Sequence, residues 1–334
     1  MDILIKSFNR PYYLDRCIQS IYTNVRDKNL RIVILDDGTP TKYLEKIQNK
    51  FPKIVIIKSE FYEMKSNSLA QNKGIQTTDV PIQLWLQGAQ NASDYFLLLE
   101  DDIWFTKKID LEETQNTLKE NSIYMLKLFW LNNPQLVYGI TKKTNNFISI
   151  YKPQVFTKSP FLHRLIFGTT RFGIRKCMAF LGLFSKDKAL HYYSIYGVAG
   201  AIFHKKYFLS LWKGHNNEVD ENLQLKNAVQ FWHKNPFIQF ARTHEEIVAT
   251  GFSSSATNKN YDTGHFDIFT FNKILNQAWF EDRLLSVADF NNDLSKREIE
   301  TILLQNNNLK AKVSDWHKWT TSFKKQFQEI GCKI

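Results

Sequence analysis

The first hundred residues alternate between two hydrophobic periods. Ile3, Leu4 and Ile5 form a short continuous apolar run, whereas after Pro11 the positions Leu14, Cys17, Ile18, Ile21, Tyr22 and Val25 recur at helical spacing. Pro11 suits the first turn of that helix, where its missing N–H is not needed. LRIVILDDGTP repeats the strand pattern and closes on turn residues. A polar helix is predicted over 42–50, a third strand in IVIIKS at 54–59, a helix over 68–76 and a central strand in YFLLL at 95–99. Continuous apolar strands joined by amphipathic helices indicate a parallel sheet covered on both faces, with right-handed crossovers.

Beyond residue 120 the periods are less clean. MLKLFWL and FISIY read as strands, IYGVAGAIF leads into a helix at HKKYFLSLW, and a further helix begins near Asp220 in VDENLQLKNAVQFW. A Ser/Asn/Thr-rich loop at 253–264 precedes a long helical pattern. In it Ser295 and Glu298 form a capping box, and Ile299, Ile302, Leu303, Leu309 and Val313 a stripe that Trp316, Trp319, Phe323 and Phe327 continue. No internal repeat is found.

Two acidic clusters end predicted strands: Asp36-Asp37 and Glu100-Asp101-Asp102. In open α/β sheets ligands sit beyond the carboxyl ends of the strands, so both clusters are expected on one crevice. Three successive carboxylates repel one another, and burying them is costly unless they are paired, hydrogen-bonded or on a metal. Mg²⁺ or Mn²⁺ resolves this by taking one or two carboxylates and filling its shell with water and phosphate oxygens. The alternative is a solvated turn after a strand.

Charge and composition narrow the classes. The net charge of +11 favours an anionic partner, whether nucleic acid, a membrane surface or a phosphorylated small molecule. No RNP-type aromatic pattern, zinc pair or basic helix supports nucleic acid. With 43% hydrophobic residues, disordered and fibrous classes are excluded. Cys17, Cys177 and Cys332 are widely spaced, which suits a reducing compartment. No secretory leader is expected, since Met1 and Asp2 run straight into ILIKS, and no apolar stretch is long enough to span a bilayer. A soluble or peripherally attached protein follows, cytoplasmic or at the inner face of the membrane.

Taken together, SFNRP after the first strand, ILDDG after the second, LEDDI after a later one and an Asp-bearing helix start further on resemble the inverting nucleotide-sugar glycosyltransferases of family 2, with the GT-A fold. IKSFNRPYYLDRCIQSI is similar to that family's opening strand and helix, VILDDGTP to its VVDDGS segment and LLLEDDI to its DXD segment. The resemblance covers 1–105 well and 195–255 loosely. It implies an α/β domain over 1–255 with a mostly parallel central sheet flanked by helices. Residues 1–105 would be the nucleotide-sugar half and 106–255 the acceptor half, followed by a mainly helical extension over 256–334.

The resemblance also implies roles. Asp37 would accept a hydrogen bond from the nucleobase, most often uracil, and Ser7, Asn9 and Arg10 would line the nucleoside pocket. Asp101 would lie near the ribose and Asp102 would ligate Mn²⁺ or Mg²⁺. Simpler uses exist for several: a turn before Pro11 for Asn9, a surface charge for Arg10, a turn cap for Asp36. SLAQNKGI at 68–75 is similar to the family's ARNxG helix end. Asn72 and Gly74 match, Gln71 stands where arginine is usual, and Lys73 would face a phosphate or, alternatively, solvent at a helix end.

Inversion requires a base opposite the leaving nucleotide, which the family supplies as an aspartate in an ED pair opening a helix. In NEVDENLQL that place falls to Asp220; Val219 replaces the glutamate, so Glu221 and Glu218 stay in contention, and helix capping is the plain alternative. Gly197 and Gly200 would border the acceptor or serve packing. His244 would be an additional metal ligand, as in some relatives, or structural. The basic, apolar segment 161–186 suits a membrane interface and a lipid-linked acceptor, or packing within the acceptor half. The tail at 295–330 offers the same choice, and homodimerisation besides.

The function the resemblance implies is metal-dependent, inverting transfer from a nucleoside-diphosphate sugar, most often a UDP-sugar in the family, to a hydroxyl of a glycan or lipid-linked acceptor. A sugar nucleotidyltransferase is the enzymatic competitor, but SFNRP lacks the glycine-rich phosphate loop it needs. A non-catalytic nucleic-acid- or sugar-binding protein is the other.

Overall fold

The apolar runs become strands because alternate residues have two interiors to enter. In β1 (Asp2–Ser7) Ile3 and Ile5 join one buried cluster and Leu4 the other; in β2 (Arg31–Asp36) Ile32 and Ile34 part from Val33 and Leu35 in the same way. β3 (Val55–Lys58) is a half-exposed edge strand, while β4 (Tyr95–Glu100) again sends Leu97 and Leu99 one way and Phe96 and Leu98 the other. A strand covered on both faces has no polar side to show, which is why these segments read as unbroken apolar runs.

The computed structural model describes the chain except residues 28, 72–74, 76–78, 145–146, 168–177, 179, 216–217 and 258–264, and the side chains of 142–144 and 165. β5 (Ile123–Lys127), β6 (Gly139–Thr144), β7 (Ile148–Pro153), β8 (Ala201–His204) and β9 (Gln239–Thr243) complete a nine-stranded sheet in the order β3-β2-β1-β4-β8-β5-β9-β7-β6. The first four neighbours are parallel, β8 is antiparallel to β4 and β5, β9 is parallel to β5, and β7 is antiparallel to β9 and β6. The sheet is therefore mostly parallel, with β8 and β7 running against the rest.

Helices cover both faces. α1 (Pro11–Asn24) and α2 (Thr41–Lys50) pack on the Ile3 side, and α4 (Ile82–Asn91) on the Leu4 side. α3 is Tyr62–Ala70, earlier than the helix expected over 68–76. Its buried positions, Tyr62, Lys65, Ser66 and Leu69, do recur at helical spacing, but two of the four are polar and hide the period. α5 (Leu111–Glu120) follows β4, and α6 (Pro160–Phe167) and α7 (Lys186–Leu190) flank the undescribed basic segment. α8 (Lys205–Leu211) and α9 (Glu221–Lys234) join α4 on the Leu4 side. Among the described residues no helix is long and apolar enough to cross a membrane.

The C-terminal helices complete the core of the first hundred residues. α10 (Ile268–Phe280) contributes Leu275, Ala278 and Trp279 to the cluster that holds Ile3 and Leu14. Buried Arg16 of α1 lies 3.9 Å from the Trp104 ring and donates to the carbonyls of Ser286, Asp289 and Asn292, while Asp15 accepts from Trp279 Nε1 at 2.9 Å. The long helical pattern is two helices, α11 (Lys296–Asn306) and α12 (Val313–Gln328), because Asn307 takes a φ of 48° and ends the first. Half of the capping box forms: Ser295 accepts from Glu298 N at 3.4 Å, but the Glu298 carboxylate turns to the amides of Leu285 and Ser286. Trp316 and Trp319 are buried in the chain's own core, Trp316 donating to Ser253 O at 2.9 Å. That inward packing uses up the front of the aromatic stripe that a membrane or a second copy would need.

Candidate active site

β1 lies between β2 and β4, with Ser7 opposite Asp36 and Lys6 opposite Glu100. The chain leaving each flanking strand is tied to the end of β1: Asp37 N donates to Ser7 O at 3.0 Å and Asp101 N to Lys6 O at 2.9 Å. The two acidic clusters thus open on one rim, roughly 10 Å apart at two strand spacings.

Within the first cluster the two aspartates differ. Asp36 is a turn cap, accepting from Gly38 N, Thr39 N and Thr39 Oγ1 at 3.0, 2.8 and 2.7 Å, with Ser7 beside it. Asp37 faces the other way, holding Ser59 Oγ at 2.6 Å and Lys65 Nζ at 2.5 Å. Burial pushes Asp37 above the usual carboxylate range although Lys65 and Ser59 pull it down. Gly38, with a φ of 137°, keeps this contact: a Cβ there would lie 2.5 Å from Lys65 Cβ. A carboxylate offers about four acceptor positions, so Asp37 can take a further N–H. Lys65→Met is expected to lower stability by about 2 kcal/mol, read as a lower urea midpoint, because it leaves a buried carboxylate without its cation.

Asn9, with a φ of 53°, bends the chain back over the second cluster. Its N–H donates to Thr39 Oγ1 at 2.9 Å, and its two oxygens accept from Asn276 Nδ2 of α10 at 3.2 and 3.1 Å. Arg10 then reaches the triplet, donating to Asp102 Oδ2 at 2.8 Å and to Asp101 Oδ1, while Phe8 N donates to Asp101 Oδ2 at 3.2 Å. Glu100 pairs with Lys6 at 2.7 Å. Burial would push Arg10 down, but Asp101 and Asp102 outweigh it and hold the guanidinium above its ordinary value. Burial also pushes Asp101 up to about 7 against the pull of Arg10, and raises Asp102. For Glu100 burial is overcome by Lys6, and its carboxyl lies low.

Two cations against three carboxylates leave one negative charge unmatched when all are ionised. At the same place Asp102 Oδ1, Asn9 Nδ2, Arg10 Nε and Asn276 Oδ1 are buried without a hydrogen-bond partner. Each such atom costs about 1–3 kcal/mol while it has no partner, so the turn at Asn9 and Arg10 carries unmet hydrogen-bonding capacity next to Asp102. Among the described residues no group of three or more His, Cys, Asp or Glu is arranged to hold a metal. A single free carboxylate oxygen at Asp102 fits instead a divalent cation that takes one protein carboxylate and draws its other ligands from phosphate and water.

The order of these motifs is matched by a family-wide sequence model, that of Glycosyl transferase family 2, over residues 2–187, more than half of the chain. The chain belongs to glycosyl transferase family 2. No curated protein matches the sequence. Among solved structures, this glycosyltransferase is similar to S. aureus TarS, with a TM-score of 0.43 and 12% identity over 97% of this chain and 48% of that one. It thus spans about half the length of that TarS chain. Galactosyltransferase LgtC, solved with donor and acceptor sugar analogs, aligns over 86% of this chain and 95% of its own at a TM-score of 0.38 and 11% identity. Glucosyl-3-phosphoglycerate synthase from Mycobacterium tuberculosis, solved with Mn²⁺, UDP and glucosyl-3-phosphoglycerate, aligns over 84% and 78% at 0.40 and 9%.

The remaining expected residues of the glycosyltransferase lie as follows. Asn72, Lys73 and Gly74 fall outside the described residues. Asp220 is the N-cap of α9, exposed, and accepts from Leu223 N at 3.0 Å. Glu221 is exposed, and its charge acts on Tyr193 and Tyr196. Burial first and Glu221 second raise both phenols, Glu100 adds to the effect on Tyr196, and the Tyr196 hydroxyl donates to Gln224 Oε1. Glu218 is exposed. Gly200 serves packing: a Cβ there would meet the Phe129 ring at 2.0 Å.

His244 is not brought to the triplet. It is exposed, and the strand that follows it, Val248–Thr250, pairs with Ile103–Phe105 so that Thr250 faces Ile103 and Val248 faces Phe105. The chain running back to His244 therefore moves away from Asp102, and its neighbour Glu245 pairs with Lys107 at 2.5 Å.

Sequence reasoning missed Lys6, Ser59, Lys65 and Asn276. The strand-end rule that found Asp37 would also have flagged Ser59 after β3, whereas Asn276 carries no signal because its partner lies at the other end of the chain. Lys127, at the end of β5, was missed too. It is buried, donates to Leu136 O at 3.1 Å, and burial pushes its ammonium down to about 7. Between there and its ordinary 10.5 the folded chain binds fewer protons than the unfolded one, so stability rises with pH across that window. Lys127→Met is expected to remove this rise, whose slope is at most about 1.4 kcal/mol per pH unit, in urea midpoints measured from pH 6 upward.

Proposed function

We propose that this glycosyltransferase moves a sugar from a UDP-linked donor to a hydroxyl of a glycan or lipid-linked acceptor, with a divalent cation, Mn²⁺ or Mg²⁺, and with inversion. The supporting observation is the convergence of Asp37 and Asp102 on one rim, with Asp102 Oδ1 and three polar atoms of Asn9, Arg10 and Asn276 buried and unpartnered. In this reading Asp37 accepts from the base, with Ser7, Asn9 and Arg10 bordering the nucleoside and Asp101 fixing Arg10 and the turn at Phe8. Asn72 and Lys73 belong to the same proposal through the family motif. Asp102 would hold the cation, which when bound neutralises charge developing on the leaving diphosphate.

Asp220 and Glu221 are the candidates for deprotonating the acceptor hydroxyl. What supports Glu221 is its exposed place at the start of α9 with a charge that reaches Tyr193 and Tyr196; Asp220 is occupied in capping α9. Incubation with UDP-sugars and Mn²⁺ should release UDP, and NMR of the product should show the anomeric centre inverted. Formation of pyrophosphate from UTP and a sugar 1-phosphate would instead make it a nucleotidyltransferase.

Peripheral attachment at the inner face of a membrane is part of the same reading. Phe161, Leu162, Phe180, Leu181 and Leu183 are exposed, Phe180 by 90%, around the basic segment. Phe180→Ser/Leu181→Ser is expected to lower the partition constant for anionic vesicles, read by co-sedimentation, by roughly 10²–10³-fold, from about 2 kcal/mol for each of the two large side chains withdrawn, with UDP binding unchanged.

A further inference from the structure

Lys65 is an unexpected residue inside a helix that packs on a sheet. It is 4% exposed, and α3 buries it together with Tyr62, Ser66 and Leu69. Its ammonium donates to Asp37 Oδ2 at 2.5 Å and to Asp79 O at 2.7 Å, joining α3 to the turn after β2 and to the chain that leads into α4. The half-buried rings of Phe8 and Phe61 lie 5.5 and 5.1 Å from it.

Stability alone does not explain this pair. A buried ion pair is often no more stabilising than apolar residues of similar volume, because desolvation of both charges offsets their attraction. What the lysine does secure is the charge of its partner. Burial pushes the Asp37 carboxyl up and Asp36, from the same turn, adds to that; Lys65 from α3 and the neutral Ser59 hydroxyl after β3 pull it down. Take the lysine away, and of these groups only a hydroxyl is left to oppose protonation.

The charge decides what Asp37 can recognise. An ionised carboxylate only accepts hydrogen bonds, whereas a protonated one has an O–H to donate as well. Uracil presents an N–H at ring position N3, and cytosine presents a lone pair at the same position. An acceptor-only group pairs with the first and meets the second lone pair to lone pair; a protonated carboxyl can serve either.

We infer that Lys65 is a positioning residue that sets donor specificity: its ammonium fixes Asp37 as an acceptor-only group, so the site takes a nucleotide whose base carries a ring N–H, such as uracil, and turns away one with a bare ring nitrogen, such as cytosine. This rests on the reading above that Asp37 meets the base.

Calorimetric titration of UDP and of CDP, each with Mn²⁺, into the full natural chain, Lys65→Met and Lys65→Gln measures the choice. Ribose, diphosphate and cation are common to the two nucleotides, so the ratio of their affinities reports the base alone. The natural chain should prefer UDP at least about tenfold, and both variants should bring that ratio down toward unity. Lys65→Gln keeps a hydrogen-bond donor beside Asp37 without the charge, so it answers the question by itself should Lys65→Met not fold. A loss of affinity equal for both nucleotides, leaving the ratio unchanged, would make Lys65 a structural prop and overturn the inference. Equal binding of UDP and CDP by the natural chain would overturn it too, while the glycosyltransferase reading stands. If the natural chain binds neither nucleotide, the donor reading itself falls and takes this inference with it.

Discussion

Asp102→Asn is expected to abolish the Mn²⁺-dependent part of the thermal stabilisation given by UDP-sugars and to lower kcat/KM on the order of 10²–10³-fold. The substitution keeps the shape of the side chain and an oxygen, but removes the charge that a cation would need. Folding should survive it, because Arg10 keeps Asp101 and the turn at Phe8 is held by Asp101 Oδ2. The variant therefore separates chemistry from architecture. A metal-dependent shift of undiminished size in Asp102→Asn would move the cation elsewhere and remove the central assignment.

The second large effect is expected at Glu221. Glu221→Gln should lower kcat about 10²-fold or more, the usual worth of a general base, with little change in UDP affinity. Asp220→Asn is the paired control. Asparagine is itself a good N-cap, so α9 should remain intact, and activity should change little if Asp220 only caps it. A large fall in kcat for Asp220→Asn with Glu221→Gln near normal would give the role to Asp220. Both proteins should melt near the temperature of the natural chain, which makes either outcome interpretable.

The parts of the fold that could be read from the chain were those where one physical demand dominates. β1, β2 and β4 are covered on both faces, so their residues had to be apolar throughout, and a reader needs no tertiary information to find them. Asp37 and Asp102 were legible for the complementary reason, being charges placed where such a strand stops. Lys65 was not, because a helix that buries two polar positions shows no apolar stripe. The break at Asn307 was also hidden, since an αL residue is a backbone event that the stripe on either side of it bridges. His244 illustrates the limit of order along the chain: its position after a strand suggested a ligand, but the pairing register of Val248–Thr250 directs it away from Asp102. Asn276 could not be inferred at all, since contacts between remote segments leave no local trace.

The contact between Asn276 and Asn9 has a bearing on how this molecule would fail. The last third of the polypeptide sets the shape of a loop made by its ninth residue. Lesions in α10, or in the helices that brace it, should therefore surface first as weakened nucleotide capture, before any loss of secondary structure. Removing the tail would not free an independent catalytic half; it would leave the donor pocket without its outer support.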